Sequence, residues 1–203
     1  MNVVCRLCCD YIYYWAEIKK EISVRQETLK PLLGNRSFKM LTNMLIVGED
    51  KRFRYHWGID LIAICRAFLH NIIGKHEGAS TIDQQLVRVL TGIKAPTLYR
   101  KILEILLAIR VDNYIDKRTI ALLYLDKAYY GSEFFNLDAL LQNYGLNKYS
   151  KLDPILSAEI VARLKYPEPR NEESIKIKRI EQRVNYLLKL YNNRFYRYVY
   201  EYK

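Results

Sequence analysis

Apolar residues along the chain recur mainly at three- and four-residue spacing, the period of a helix buried on one side. Ser80 reads as an N-cap with Asp83 three residues on, a capping-box pattern. The helix it opens sets Ile82, Leu86, Val89 and Leu90 on one face and stops at Gly92. A second helix runs from about Tyr99 to Val111 and is apolar almost all round (Ile102, Leu103, Ile105, Leu106, Ile109), which predicts a buried central helix. Asp116 caps a third, turning Ile120, Leu123 and Tyr124 inward and ending before Gly131. Asp153-Pro154 starts a fourth, with proline at the first helical position, where its missing N–H costs nothing. From Ile175 to about Tyr191, Ile177, Ile180, Val184, Leu187 and Leu188 make one stripe, and the opposite Lys- and Arg-rich face reads as solvated. Strand signals are sparse, the exception being the alternating tail Phe195 to Tyr200, which suits an edge strand, a helix end or an interfacial anchor. The predicted fold class is mainly α.

Composition narrows this further. With 203 residues, half hydrophobic and 27% charged, the chain is globular rather than disordered or fibrous. It has no repeat, Gly/Ser linker or long charge block, so the expected organisation is an N-terminal arm, residues 1–30, and a single domain, residues 31–203, with a C-terminal helix and Tyr-rich tail. Cys5, Cys8 and Cys9 crowd the arm, and Cys65 sits alone in an apolar run. Free thiols in a poorly ordered, peripheral arm fit better than a zinc site, since no second ligand pair follows at matching spacing; S-acylation beside a membrane is a third reading. The formal charge of +11 predicts an anionic partner: nucleic acid, a phosphate-bearing substrate or an acidic membrane surface. No stretch reaches the ~18 apolar residues of a membrane span, and no signal peptide is visible, so the chain reads as soluble or peripheral.

The segment from Glu49 to Asp60 has neither helical nor strand period, and it packs carboxylates, cations and aromatics together. By composition it is a solvated turn with loosely paired charges. Its order changes that reading: Glu49-Asp50-x-x-Phe53-x-x-His56-x-Gly58-x-Asp60 resembles the first signature of the peptidoglycan glycosyltransferases (glycosyltransferase family 51). That family forms the polymerising domain of class A penicillin-binding proteins and also occurs as monofunctional transglycosylases. Arg66 falls where the family has an arginine that contacts substrate phosphate. The second signature follows as Gly78-Ala79-Ser80-Thr81-Ile82-Asp83-Gln84-Gln85-Leu86, with Arg88 at a basic family position, and the third as Arg100-Lys101-x-x-Glu104. A weaker fourth is Lys117-x-x-Ile120, Tyr124-Leu125 and Gly131; a degraded fifth is Ala158-Glu159 with Pro167-x-Pro169.

The resemblance implies a lysozyme-like helical fold that polymerises lipid II-type polyprenyl-pyrophosphate disaccharides into glycan strands, with inversion at the donor anomeric carbon. It makes Glu49 the general base and Glu104 the second carboxylate, which orients the phosphate-binding cations or a Mg2+ or other divalent ion. Arg66, Arg88, Arg100 and Lys101 become a phosphate clamp, and Asp50, Ser80 and Gln85 substrate contacts. It also implies partners (the lipid-linked precursor, nascent glycan, cell-wall synthesis proteins) and a place at the outer face of the bacterial cytoplasmic membrane. Blander roles compete: Ser80 as a helix cap, Gln85 as a structural hydrogen bond, Arg66 snorkelling to the surface, Glu104 in an ion pair with Arg100, and His56 packed to shape its loop. The chain departs from the pattern at Pro96, Leu103, Val89, Leu122 and Asp126. Two of these, Pro96 and Leu103, thin the cationic shell, and with no membrane anchor visible they motivate an alternative, a catalytically impaired relative that binds precursor or glycan and modulates a partner. A nucleic-acid binder is disfavoured, because the cations lie within carboxylate-containing motifs. A lytic muramidase would share the fold but release sugars from finished glycan.

Overall fold

A computed structural model describes residues 3–74, 78–169 and 174–193, without the side chain of residue 174. The described chain is helical: α1 (Val3–Leu29), a 3-10 turn (Lys30–Leu32), α2 (Arg36–Glu49), α3 (Leu61–Ile72), α4 (Ile82–Thr91), α5 (Leu98–Tyr114), α6 (Lys117–Lys127), α7 (Leu137–Asn143), α8 (Pro154–Lys165) and α9 (Ser174–Asn192). No strand occurs among the described residues, only isolated bridges from Gly131 to Phe134 and to Glu168. The mainly α expectation therefore holds. The aromatic tail at 195–200 lies outside the described residues.

Local chemistry sets the helix ends. Asn35 and Asp60 cap α2 and α3, and Asp116 and Asp153 cap α6 and α8 as the sequence predicts. Gly92 closes α4 in the left-handed region at φ 65°. The start of α4 differs from expectation by one residue. Thr81 is the N-cap, exchanging hydrogen bonds with Gln84 in a complete capping box. Asp83 cannot serve as the box acid because its carboxylate is turned inward to Lys117, and Ser80 is thereby released from capping.

The central helix is α6, not α5. Every residue from Thr119 to Asp126 is buried, and α6 packs against α1, α2, α4, α5 and α7. In α5, Leu103, Leu107, Ala108 and Val111 are buried, whereas Ile102 and Leu106 are exposed. Its apolar circumference is wider than the neighbours, mainly α1 and α4, that cover it. The N-terminal arm also differs from the poorly ordered segment expected. It is a 27-residue helix whose Ile18, Ile22 and Leu29 enter the core, so the packed domain begins upstream of residue 31. The four thiols are free and exposed.

One glycine is fixed by a backbone contact. Gly58 has φ +77°, and a Cβ there would lie 2.7 Å from the Ala108 carbonyl and the Ile109 nitrogen. No side-chain rotation can relieve that approach. Gly58→Ala is expected to lose about 2–3 kcal/mol, read as a lowered Tm in thermal melts. An unchanged Tm would mean that the loop yields freely.

Candidate active site

The end of α2, the loop that follows it, one side of α3, the start of α4 and parts of α8 and α9 enclose an open groove of about 750 Å³. Glu49, Asp50, Arg66, Ser80 and Gln85, all named from the sequence, line it. Arg88, Arg100, Lys101 and Glu104 do not; they form an ionic cluster joined to the groove at Ser80, whose Oγ lies 3.3 Å from Lys101 Nζ.

Within that cluster Glu104 is buried while three cations converge on it. Arg88 donates from Nε and Nη2 at 3.1 Å each, Arg100 from Nη1 at 2.5 Å and Lys101 from Nζ at 2.8 Å. Burial alone would raise the Glu104 carboxyl, but the hydrogen bonds from Arg88 and Lys101 outweigh it and hold the group below its usual range. One anion among three cations leaves a surplus of two positive charges beside the groove. The ion pair with Arg100 is present, but it is one arm of a larger cradle. Gln85 accepts a 2.6 Å hydrogen bond from the Tyr124 hydroxyl. Tyr124 is pushed up by burial and then by the charge of Glu49, with Arg88 opposing, so this side chain lies between Glu49 and the cluster.

Glu49 is the last residue of α2, and its Oε1 accepts from Arg183 Nη2 at 2.8 Å. Sequence reasoning missed Arg183 by assigning the cations of α9 to a solvated face. A signal was present: Arg183 stands three residues after Ile180 and four before Leu187, inside the apolar stripe at helical spacing. A cation on such a stripe needs an anionic or carbonyl partner, and Glu49 and the Gly48 carbonyl provide both.

Asp50 borders the groove, but its Oδ2 is held by His56 Nε2 at 2.9 Å and by the Ile82 backbone N–H at 3.1 Å. Those two contacts, with the 2.7 Å bond from Thr81 Oγ1 to the Gly58 carbonyl, tie the loop to the start of α4. His56 is thus the buried, loop-shaping imidazole of the structural reading. Beneath it Lys117 lies between Asp83 and Asp112. Two acids share one ammonium here, and burial pushes Asp83 from 3.8 up to about 7. A carboxyl whose folded pKa is raised contributes stability that is complete below its unfolded value and is lost as pH rises through the folded one. The parent should therefore lose several degrees of Tm between pH 4 and pH 7, and Asp83→Asn should flatten that slope. An equal slope in both proteins would rule out Asp83 as its source.

At Glu104 the residues present do not fit a divalent cation. Four N–H donors fill the roughly four lone-pair directions of the Glu104 carboxylate, so no oxygen there faces a metal. Among the described residues, the cluster with metal-like spacing is Asp50, His56 and Asp83. It is buried, its two carboxylates are already bonded to His56, Ile82 and Lys117, and its third member is an imidazole, whereas Mg2+ prefers oxygen ligands and retained waters. The departures from the family pattern mostly face inward. Leu103 and Leu122 lie in the core, Val89 packs against it, and Asp126 is buried on Lys148. Pro96 is exposed in the segment before α5.

Comparison with known proteins agrees with this geometry. The family model described as Transglycosylase matches residues 18–192. Penicillin-binding protein 1A of Aquifex aeolicus is 41% identical over 104 residues, covering 50% of this chain and 14% of that protein. Penicillin-binding protein 1A of Rickettsia typhi is 34% identical over 155 residues, 73% of this chain and 19% of that protein. The corresponding protein of Neisseria cinerea is 36% identical over 108 residues, 52% of this chain and 14% of its own length. The chain thus spans less than a fifth of the relatives it matches. Because the matched region runs from the buried half of α1 through α9 and takes in every wall of the groove, the chain belongs to the transglycosylase family.

Proposed function

We propose that this chain polymerises lipid-linked disaccharides into glycan strands, with Glu49 as the general base. One observation carries the reading: a carboxylate at the wall of an open groove, with a cationic cradle of net positive charge joined to the same groove through Ser80. The acceptor sugar's 4-hydroxyl is a poor nucleophile, and Glu49 takes its proton as the oxygen attacks the donor's anomeric carbon. The bond to the diphosphate breaks on the opposite face, which inverts the centre, as in inverting glycosidases with a sugar hydroxyl in place of water. Charge developing on the departing diphosphate is met by Arg88, Arg100, Lys101 and Arg66, with no step assigned to a metal. Ser80 and Gln85 line the path between base and cradle.

A lipid carrier needs an apolar track, and α3 supports that part of the reading. Of its twelve residues only Ala67 is buried. Phe68, Leu69 and Ile72 are 62–66% exposed, while Arg66 on the same helix lines the groove. An exposed apolar stripe of this kind suits an acyl or membrane surface, with the phosphate-binding groove alongside. The contact proposed for this face is with the outer face of the cytoplasmic membrane; no described helix is long and apolar enough to cross it.

The test is strand synthesis by the purified chain from polyprenyl-linked disaccharide-pentapeptide, with products separated by length. Glycan strands are expected. Release of sugars from finished glycan would mark a lytic enzyme instead, and a folded chain that binds precursor without extending it would favour the impaired relative.

A further inference from the structure

We infer that Arg183 is a positioning residue for Glu49, so that the C-terminal helix α9 belongs to the catalytic apparatus; this rests on the assignment of Glu49 as the base. Glu49 ends α2, where the helix dipole and unsatisfied carbonyls make a negative side chain unfavourable. One nitrogen of Arg183 offsets both, Nη2 donating to Glu49 Oε1 at 2.8 Å and to the Gly48 carbonyl at 2.7 Å. The guanidinium lies 5.2 Å from the Tyr186 ring centroid, and its side chain is only 10% exposed, so its own position is fixed. Gly48 makes the approach of α9 feasible: a Cβ there would stand 2.5 Å from Leu187 Cδ2 and 3.3 Å from Arg183 Nη2. Arg183 therefore acts on the reacting sugar through Glu49, fixing where the carboxylate points, while the cations of the Glu104 cluster face the diphosphate.

The experiment measures strand synthesis and thermal stability for the full chain with Arg183→Gln, Arg183→Lys and Glu49→Gln. For Arg183→Gln, kcat is expected to fall about 100-fold with KM within about twofold, the cost of a base displaced by roughly an ångström. Arg183→Lys keeps the charge and one donor, and should recover most of that loss. A raised KM at unchanged kcat would make Arg183 a substrate-binding cation and overturn the inference. So would a lysine variant no better than glutamine with an equally lowered Tm, the result of a purely structural clasp. Parent-level kcat in Glu49→Gln would instead overturn the base assignment, whatever Arg183 does.

Discussion

Glutamine in place of Glu49 is expected to reduce strand synthesis by about 1,000-fold, the upper-middle of what a positioned general base contributes. That corresponds to roughly 4 kcal/mol of activation barrier. The substitution is informative because it changes little else. Glutamine has the same length, and its amide oxygen can still accept from Arg183, so the carboxylate's place is kept while its basicity is lost. The fold should survive, because α2 is anchored by Phe38, Leu41, Met44 and Leu45 in the core rather than by its last residue. Loss of the ion pair with Arg183, both side chains being mostly buried, should cost about 1.5–3 kcal/mol. Initial rates at saturating precursor, set beside a thermal melt, separate the two effects. A variant that polymerises at the parent rate would discard Glu49 as the base; one that unfolds would be replaced by Glu49→Asp, which keeps the charge but shortens the reach.

How legible this was in the sequence varies by residue. Of the polar residues named between Glu49 and Glu104, Glu49, Asp50, Arg66, Ser80 and Gln85 line the groove while Arg88, Arg100, Lys101 and Glu104 form the cluster beside it, a division that short-range order does not show. The caps at Asp116 and Asp153 were readable, since a cap is satisfied by the next two or three backbone N–H groups. The cap of α4 was misread by one position for a non-local reason: Asp83 belongs to Lys117, 34 residues away. The same blindness hid the central position of α6, though not the helix itself. Its buried Asp126 looks unsuited to a core until Lys148 and Arg25, both distant in sequence, are seen to neutralise it. In α5 an apolar circumference suggested burial, but pattern alone does not say how many neighbours a helix has. For α1 the cysteines drew attention from the spacing of Ile18, Ile22 and Leu29, which is that of one buried stripe.

Glu104→Gln is the second decisive substitution, and it separates the two roles open to the cluster. The glutamine fits the same space but leaves three cations facing a neutral amide. Breaking a buried pair usually costs about 3–5 kcal/mol, and the partial exposure of Arg88 and Lys101 discounts that to roughly 1–3. A lowered Tm at neutral pH is therefore expected. The pH dependence has a definite sign. The folded carboxyl is held below its usual value, so its contribution is present above pH 4.5 and is lost as pH falls through the depressed value. The parent should weaken below that point, and the variant should lack this acid limb. In the proposed reaction, the carboxylate orients Arg88, Arg100 and Lys101, whose work grows as charge builds on the leaving diphosphate. Their misalignment should lower kcat about 100-fold with a smaller change in KM, because the interaction strengthens toward the transition state. A purely structural ion pair predicts otherwise: the same loss of Tm, with unchanged turnover per folded molecule. Rates measured well below the variant's melting temperature distinguish the cases, since the folded fraction is then near unity for both proteins and only the geometry of the cations differs.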